Sequence, residues 1–486
     1  MDFISGYFLL FLAIGLLIFY NIPKKWQQYW LLLLSMFFYC FASIKLFAVM
    51  LGSAVIAYAA ALLIEDGRCL RKAPFRRSRI ILGLAVILLI GILLVLKTAA
   101  TAPALAGRLH IGRFSLLLPI GISFYTLQMI AYLTDVYHGK IRAQKNPVKY
   151  LLFILYFPQI LQGPIPRYDD LMPQLCGQHK FRYETFVGGF ELMLWGYFQK
   201  LVIADRANII VNRLFGEYTS FPGTYMLLAG VLYSIQLYTD FNGCVCIARG
   251  ISEMFGISLS ENFAHPYFAT SIQDFWRRWH ISLSSWLRDY VYIPLGGNRK
   301  GKCRQYGNLL LTFVVSGMWH GIGATYLVWG LLHGVYQIVG KVTIPVRMRV
   351  CERFHVDQNT FSHRLFRQFV TFMLVMLAWI FFRASSVLQA VSMIRSMFTV
   401  FNPWVLWDGS LYLLGLNAKN VWVLLWAILL LVIVSLLQTK CSIREKLMQQ
   451  GIVFRYLVVL TGLLVILVFG IYGPGYDAAQ FIYGGF

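Results

Sequence analysis

Apolar runs of about 20 residues, the length that crosses the hydrocarbon core of a membrane, recur along almost the whole of this chain. The chain has 486 residues, of which 59% are hydrophobic and 13% are charged, whereas soluble domains carry about 25% charged residues. No water-soluble core could bury so much apolar surface, so the surplus must face lipid. The sequence therefore predicts an all-α polytopic membrane protein, folded as a single membrane domain over residues 1–486.

The runs predict about eleven transmembrane helices. Three shorter apolar pieces, near 149–162, 242–257 and 307–319, are expected to be re-entrant or half-spanning, which requires that protein or water cover their backbone. The candidate spans are 3–21, 29–47, 49–64, 79–97, 115–136, 183–203, 224–240, 323–340, 368–383, 419–438 and 452–472.

The formal net charge is +23, and the basic residues cluster in short loops between the apolar runs. This is the positive-inside pattern of cytoplasmic loops, so we expect membrane lipid rather than nucleic acid as the surrounding partner. It places the N-terminus outside and residues 3–21 in a retained helix. The clusters are Lys24–Lys25, Arg68–Arg79, His138–Lys149, Arg299–Arg304, Arg347–Arg367 and Lys440–Lys446.

The eight cysteines are scattered along the chain. Cys244 and Cys246 form a C-x-C pair inside an apolar run, and no spacing matches a zinc site. We therefore predict neither a disulfide framework nor a bound metal.

The segment from Asp274 to Tyr290 carries three tryptophans, several arginines and His280. Arginine at the centre of a bilayer costs at least about 2.5 kcal/mol, so this segment is predicted to be an interfacial helix or one that lines a polar cavity. A continuous helix would place Phe275, Trp279, Trp286 and Tyr290 near one face. The plainer alternative is an amphipathic anchor at the membrane surface.

A turn with Pro294, Gly296 and Gly297 follows this segment and leads into a basic cluster. Arg299 and Lys300 are candidates to bind the phosphates of an acyl carrier or coenzyme. Equally, they are topology determinants that keep this loop in the cytoplasm.

The second unusual segment runs from Ser316 to Ala324 and contains His320. Residues 307–319 rise from the basic loop and residues 324–340 return, so His320 is expected near the tip of a hairpin, deep in the membrane region. Gly317, Gly321 and Gly323 permit a turn or a close approach there. An ionisable residue at such depth is a functional candidate, and its alternative is a histidine satisfied by one interhelical hydrogen bond.

A third polar island surrounds Asp240, which follows an apolar run. Its carboxylate has two interpretations. It orients a catalytic histidine and stabilises the charge that develops there, or it caps a helix that begins after Phe241.

Five motifs occur in order along the chain, at residues 118–125, 157–167, 237–243, 274–297 and 317–321. Together they resemble the membrane-bound O-acyltransferase family. Within that family the chain is similar to the bacterial branch of alginate O-acetylases and teichoic acid D-alanyl transferases. The resemblance implies about eleven spans around a central funnel or tunnel, with a donor entering from the cytoplasm and an acceptor from outside. It also implies that His320 corresponds to the family's catalytic histidine and His280 to its second, often polar, position.

The segment Trp379–Ala384 and the aromatic C-terminal tail resemble the alginate O-acetylase side of the branch. That resemblance implies a bacterial plasma-membrane protein that hands acetyl groups to an extracytoplasmic partner with a serine-hydrolase-like fold. Cys244 and Cys246 depart from the small or polar residues expected after the Asp-Phe-x-Gly piece.

These observations lead to a mechanistic hypothesis in which acetyl-CoA is the donor substrate and no cofactor is bound. A desolvated, neutral His320 removes the proton of an acceptor hydroxyl as it attacks the thioester, unless a histidine or a partner serine carries the acyl group transiently. His280 positions the donor or helps the proton leave. The walls that exclude water are predicted to be Trp276, Trp279 and Trp319.

Three other functions fit the same pattern. D-alanine transfer from an acyl carrier protein to teichoic acid would depend on the carrier and ignore acetyl-CoA. A transporter or flippase would move a ligand without acyl transfer, and a structural scaffold would tolerate the loss of either histidine.

Overall fold

The computed structural model describes residues 3–69, 74–101, 121–160 and 162–472. Within these ranges all regular secondary structure is helical, which confirms the predicted all-α class. Predictions about Arg71, Lys72, residues 118–120 and the tail from Gly473 concern residues outside the described ranges.

The described helices fall into two compact units. The first comprises residues 3–194 and 244–260, and the second comprises residues 195–243 and 261–472. The helices of the N-terminal half are α1 Gly6–Asn21, α2 Gln27–Ala42, α3 Ile44–Cys69, α4 Pro74–Thr101, α5 Ile122–His138, α6 Pro147–Leu155, α7 Phe157–Ile160, α8 Tyr168–Leu175, α9 Tyr183–Tyr197, α10 Asp205–Gly216 and α11 Thr224–Met254.

The helices that follow all belong to the second unit, which contains every residue that the sequence singled out as functional. They are α12 Ile272–Arg278, α13 Ile281–Leu287, α14 Lys302–His320, α15 Ala324–Val342, α16 Ile344–Arg353, α17 Phe361–Arg383, α18 Val387–Thr399, α19 Ala418–Gln438, α20 Ile443–Met448 and α21 Ile452–Phe469.

Five helices of the described chain are long and apolar enough to cross a membrane. They are Ile44–Gly67, Arg76–Thr98, Phe361–Arg383, Ala418–Gln438 and Ile452–Phe469. A sixth span arises if α15 and α16, which meet at an angle of 48°, form one bent helix. The polytopic helical architecture is therefore present, while the full number of eleven spans stays a prediction.

Two of the predicted boundaries are wrong. Residues 224–240 and 242–257 were expected as separate pieces, yet α11 runs without interruption through Asp240 and Asn242. Both side chains have protein partners, which lets the helix continue through this polar island. The short piece at 307–319 is likewise part of α14, which begins at Lys302 and has 19 residues.

The segment from Asp274 to Tyr290 is not the continuous helix that its pattern predicted. α12 ends at Arg278 and α13 starts at Ile281, with Trp279 and His280 between them. The loop around residues 262–264 pairs with the backbone groups freed by the break: Ala264 N–H donates to the Arg278 carbonyl and Ile281 N–H to the Asn262 carbonyl, both at 2.9 Å. The expected single aromatic face is therefore broken up. Phe275 lies on α12 and Trp286 on α13. Trp279 lies in the break, and Tyr290 lies in the π-helical turn Arg288–Tyr292 after α13.

In the first unit, buried glutamines join α5, α6 and α7, and α7 begins the 157–167 motif. The Gln128 side-chain amide donates to the Phe153 carbonyl at 2.8 Å, and that of Gln159 donates to the Gln128 side-chain oxygen at 3.0 Å. Buried polar groups must be paired in this way when no water reaches them.

Candidate active site

His320 is the last residue of α14 and precedes the turn into α15, as the hairpin prediction required. The two helices pack closely because each presents a glycine to the backbone of the other. A Cβ atom on Gly317 would collide with the Tyr326 carbonyl, and one on Gly330 would collide with the Phe313 carbonyl. These two glycines allow the close contact between α14 and α15, and His320 lies at the end of α14 next to this contact.

Three aromatic rings enclose the His320 imidazole. The ring centroids of Trp319, Trp329 and Phe382 lie 4.7, 5.1 and 5.1 Å from that of His320. The residue is only 4% exposed. The enclosure shields the imidazole from bulk water. Exclusion of water protects a reactive group such as a thioester from hydrolysis.

His280 occupies the break between α12 and α13 in a left-handed backbone conformation, with φ of 45°. Such a conformation costs a non-glycine residue about 1–2 kcal/mol and persists only where the surroundings impose it. The two backbone hydrogen bonds to Asn262 and Ala264 impose it here. Local strain of this kind is concentrated at functional sites.

The side chain of Asn262 fixes the orientation of the His280 ring. Its Oδ1 accepts hydrogen bonds from the Ser282 N–H at 3.1 Å and the Ser282 hydroxyl at 3.0 Å, and it lies 3.2 Å from His280 Nδ1. Because an amide oxygen can only accept, Nδ1 carries the proton and Nε2 keeps the lone pair. Burial lowers the pKa of His280 to about 3, so its ring is neutral at physiological pH.

The indole of Trp319 joins the two histidines. Its ring lies 4.7 Å from the His320 ring and 6.1 Å from the His280 ring, centroid to centroid. Phe241 packs against His280 at 4.8 Å. The structure therefore brings His280, from the break between α12 and α13, together with Trp319 and His320 at the end of α14.

The other two predicted wall residues belong to the same aromatic cluster. Trp279 is 1% exposed and packs against Trp379 at 5.1 Å, which in turn stacks on Trp329 at 5.7 Å. Trp276 packs against Trp329 at 5.8 Å. Trp276 is thus linked to His320 through Trp329, and Trp279 is linked to it through Trp379 and Trp329.

His333 is a further member of the site, beside the two predicted histidines. It is fully buried on α15, and the Trp276 indole N–H donates to its Nδ1 at 3.2 Å. Trp329 lies 5.1 Å from both His320 and His333. The sequence did contain a signal for this residue, because His333 is an ionisable residue within the predicted span 323–340.

Asp240 forms a buried ion pair with Lys200. The Lys200 Nζ lies 2.7 Å from Asp240 Oδ1 and 3.0 Å from Asp205 Oδ1, and all three side chains are at most 2% exposed. Lys200 belongs to a π-helical stretch, Phe198–Ala204, a rare geometry that often marks functional sites. The helix-cap interpretation of Asp240 is wrong because α11 continues through this residue.

Arg299 and Lys300 lie exposed in the turn before α14. The 19 residues of α14 span about 27 Å, so the structure places this turn one helix length away from His320. The turn is tied to the helix where the Asn308 amide donates to the Gly297 carbonyl at 3.0 Å. The two basic residues are therefore not brought next to His320.

Taken together, the described site contains an enclosed imidazole, a second neutral imidazole with a fixed tautomer, and aromatic walls. Such an arrangement can accept a proton from a hydroxyl group and keep water away from a thioester.

Residues 141–387 match the sequence model of MBOAT, the membrane-bound O-acyltransferase family. This chain belongs to the membrane-bound O-acyltransferase family. The match confirms the resemblance carried by the sequence motifs and identifies the protein as an acyltransferase. The matched range includes His280, His320 and His333.

Curated relatives agree with this assignment. The chain is 36% identical to a peptidoglycan O-acetyltransferase of Helicobacter pylori, over 76% of this chain and 73% of the relative. It is 35% identical to a probable alginate O-acetylase of Pseudomonas syringae, over 84% and 76%. It is 32% identical to a teichoic acid D-alanyltransferase of Bacillus subtilis, over 44% and 57%.

Proposed function

We propose that this protein transfers an acetyl group from a cytoplasmic thioester to a hydroxyl group of an extracytoplasmic cell-surface polysaccharide or of a partner relay protein. The observation that carries the proposal is the aromatic enclosure of His320 at one end of α14, whose other end bears the basic turn. Donor and acceptor can approach such a site from opposite sides.

In this proposal His320 is the general base. Its neutral imidazole takes the proton from the acceptor hydroxyl while the hydroxyl oxygen attacks the thioester carbonyl carbon. The new C–O bond forms, the C–S bond breaks, and the leaving thiolate receives the proton back from the imidazolium. The reaction consumes no cofactor, and acetyl-CoA is the donor substrate.

The remaining predicted site residues receive supporting roles. Trp319, with Trp276 and Trp279 behind Trp329, excludes water from the thioester. His280, with its lone pair on Nε2, positions the donor or relays the proton. Asp240 holds α11 against the π-helical stretch through Lys200.

Arg299 and Lys300 are proposed to bind donor phosphates at the far end of α14. A donor that reaches both this turn and His320 must extend over about 27 Å. The long flexible arm of a coenzyme or of an acyl carrier protein has the required form, so this distance favours a thioester on such an arm.

The second candidate is D-alanyl transfer from a carrier protein, and the Bacillus subtilis relative is the observation that favours it. The longer matches are to O-acetylases, which is why acetyl is preferred.

We further propose that the chain acts as one membrane domain with about eleven spans in the bacterial plasma membrane. The similarity to an alginate O-acetylase and a peptidoglycan O-acetyltransferase supports an acceptor that lies beyond this membrane. An extracytoplasmic partner with a serine-hydrolase-like fold remains part of the proposal.

Proteoliposomes that contain the purified full chain test the donor and the acceptor together. Labelled acetyl-CoA or a D-alanyl carrier protein is supplied on one side and polysaccharide on the other. Label in the polysaccharide from acetyl-CoA supports the proposal. Label only from the D-alanyl carrier selects the second candidate, and transport of a donor without acyl transfer would reject both.

A further inference from the structure

Trp276 fixes the tautomer of His333 on α15. The Trp276 indole Nε1–H donates to His333 Nδ1 at 3.2 Å. An indole nitrogen can only donate, so Nδ1 carries the lone pair and the proton of the neutral imidazole lies on Nε2. The Phe275 and Phe313 rings stack on the imidazole at centroid distances of 6.4 and 6.1 Å, with interplanar angles of 7° and 26°. His333 therefore presents an oriented Nε2–H group.

The Nε2–H group of His333 is a buried donor for which the described chain supplies no acceptor. His333 is 0% exposed, and its Nε2 makes no hydrogen bond with any described residue. A buried donor without a partner costs about 1–3 kcal/mol. The hydrogen bond from Trp276 uses only Nδ1, so it does not explain a polar Nε2–H group at this position. A ligand that brings an acceptor atom explains it.

A second donor of the same kind lies one helical turn earlier on α15. Trp329 is 1% exposed, and its Nε1–H also lacks an acceptor among the described residues. Residues four positions apart share one face of a helix, and the Trp329 and His333 ring centroids are 5.1 Å apart. Trp329 packs at the same distance against His320. The two donors are therefore neighbours beside the proposed general base.

The charge pattern places both donors on the path of the thioester. The basic residues at 299–304 precede α14, and those at 347–367 follow α15. By the positive-inside rule, the His320 end of this helix pair lies away from the cytoplasm. His333 lies in the middle of α15, between that end and Lys341 in the last turn. A donor arm that rises from the cytoplasmic side passes the level of His333, then that of Trp329, before it reaches His320.

We infer that Trp329 Nε1–H and His333 Nε2–H form an oxyanion site that binds the carbonyl oxygen of the donor thioester. The inference rests on the proposed function for the nature of the donor. A carbonyl oxygen has two lone pairs and accepts both hydrogen bonds, which satisfies two buried donors at once. The site is the same for an acetyl and for a D-alanyl thioester, because both present this oxygen.

The two N–H groups act on the charge that develops during transfer. As the acceptor hydroxyl oxygen attacks the carbonyl carbon, one electron pair of the C=O bond moves onto its oxygen, and His320 takes the hydroxyl proton. When that pair re-forms the C=O bond, the C–S bond breaks and the thiolate leaves with the proton from His320. Trp329 and His333 keep their own protons throughout. In a site that excludes water, such hydrogen bonds stabilise the oxyanion more than in solvent.

Two substitutions of His333 separate this role from a structural one. In His333→Asn the side-chain amide ends near the position of Nδ1, so an acceptor for Trp276 is kept and the Nε2 donor is lost. In His333→Gln the longer side chain places an N–H group near the position of Nε2, and the acceptor for Trp276 is lost. Trp329→Phe keeps an aromatic ring and removes the second donor. His138→Gln, at an exposed position, is the control.

Turnover of labelled acetyl-CoA by the full chain in detergent is measured first, beside the thermal unfolding midpoint. His333→Asn and Trp329→Phe are expected to lower kcat by about 100- to 1,000-fold, the usual effect of removing one oxyanion donor. His333→Gln should retain more activity than His333→Asn although it unfolds at a lower temperature. His138→Gln should match the wild type. A structural role alone predicts the opposite order, with His333→Asn more active than His333→Gln.

The carbonyl stretch of a bound donor analogue reports the hydrogen bonds directly. The probes are stable ketone analogues of acetyl-CoA and of D-alanyl phosphopantetheine, in which a CH2 group replaces the thioester sulfur and the carbonyl carbon is 13C. Infrared difference spectra of labelled and unlabelled probe isolate the carbonyl band. In the wild type this band should lie at lower frequency than in His333→Asn and Trp329→Phe, because hydrogen bonds to the oxygen weaken the C=O bond.

The same band frequency in the wild type and in both variants would overturn the inference, and so would the absence of a bound band for either probe in the wild type. Both results mean that the donors hold at most an ordered water. A displaced band for the D-alanyl probe alone keeps the oxyanion site and rejects acetyl as the cargo. A displaced band that depends on His333, without acyl transfer to any polysaccharide or partner, keeps the site and rejects the proposed function instead.

Discussion

The ammonium group of Lys200 donates a hydrogen bond to the carboxylate of Asp240 at 2.7 Å, with both side chains buried. Asp205 shares the same ammonium group at 3.0 Å. The three residues are 5 and 35 positions apart along the chain, counted from Lys200 to Asp205 and from Asp205 to Asp240. This cluster therefore joins α11 to the π-helical stretch and to the start of α10.

Lys200→Met removes the cation that the two buried carboxylates share. Loss of one partner from a buried ion pair costs about 3–5 kcal/mol, so we expect a large fall in the thermal unfolding midpoint in detergent. The triple variant Lys200→Met, Asp205→Asn, Asp240→Asn removes all three charges and should recover most of the loss. A single variant as stable as the wild type would show that the ion cluster does not support this part of the fold.

Gly330→Ala is expected to separate α14 from α15, because its Cβ would collide with the Phe313 carbonyl. Displacing the helices moves His320 relative to Trp329, so acyl transfer should fall by at least about tenfold. Gly340→Ala on α15 and Gly307→Ala on α14 are matched controls, since nothing lies within 4 Å of an added Cβ at either position. Equal activity for Gly330→Ala and these controls would contradict the close-packing account.

The buried His280 predicts a specific loss of stability in acid. Its folded-state pKa is lowered to about 3, whereas an unfolded histidine has a pKa of about 6.5. Between these values the unfolded state binds one more proton, so the stability contributed by neutral His280 is present above pH 6.5 and declines as the pH falls. At pH 5 the loss from this residue is about 2 kcal/mol.

Thermal unfolding of wild type and His280→Asn between pH 7 and pH 5 measures this contribution. The wild type should lose more stability than the variant over this interval. His138→Asn, at an exposed position, is the control and should retain the wild-type slope. Parallel curves for wild type and His280→Asn would show that His280 does not remain neutral in the folded protein.

His333→Phe tests the hydrogen bond that supports the aromatic cluster of the candidate site. The substitution keeps an aromatic ring and removes the acceptor of the Trp276 indole N–H, which would then be buried without this bond. An unsatisfied buried donor costs about 1–3 kcal/mol, so the unfolding midpoint should fall. Trp276→Phe combined with His333→Phe removes both polar groups and should be more stable than His333→Phe alone. The reverse order would contradict the hydrogen-bond assignment.

Local sequence patterns were sufficient for several features of the fold. Long apolar runs predict helices, and the glycines around His320 predict the hairpin that α14 and α15 form. The family resemblance drew on ordered motifs and was confirmed by the match over residues 141–387.

Features that depend on distant partners were not predictable in the same way. The break at His280 is stabilised by backbone hydrogen bonds to Asn262 and Ala264. Both residues lie outside the segment 274–290, so the helical periodicity of that segment could not predict these hydrogen bonds. The continuity of α11 depends on Lys200, which lies 40 residues before Asp240. The link between His333 and Trp276 spans 57 residues, so only the folded chain shows it.

The central claim is that His320 is the base for acyl transfer, and its direct test is the turnover of purified His320→Gln with acetyl-CoA and acceptor polysaccharide. Wild type and variant are compared at equal amounts of protein with matching thermal unfolding midpoints, so that loss of folding is excluded. We expect the turnover number to fall by about 100-fold or more while the affinity for acetyl-CoA is retained. Wild-type turnover by the folded variant would contradict the claim and remove His320 from the mechanism.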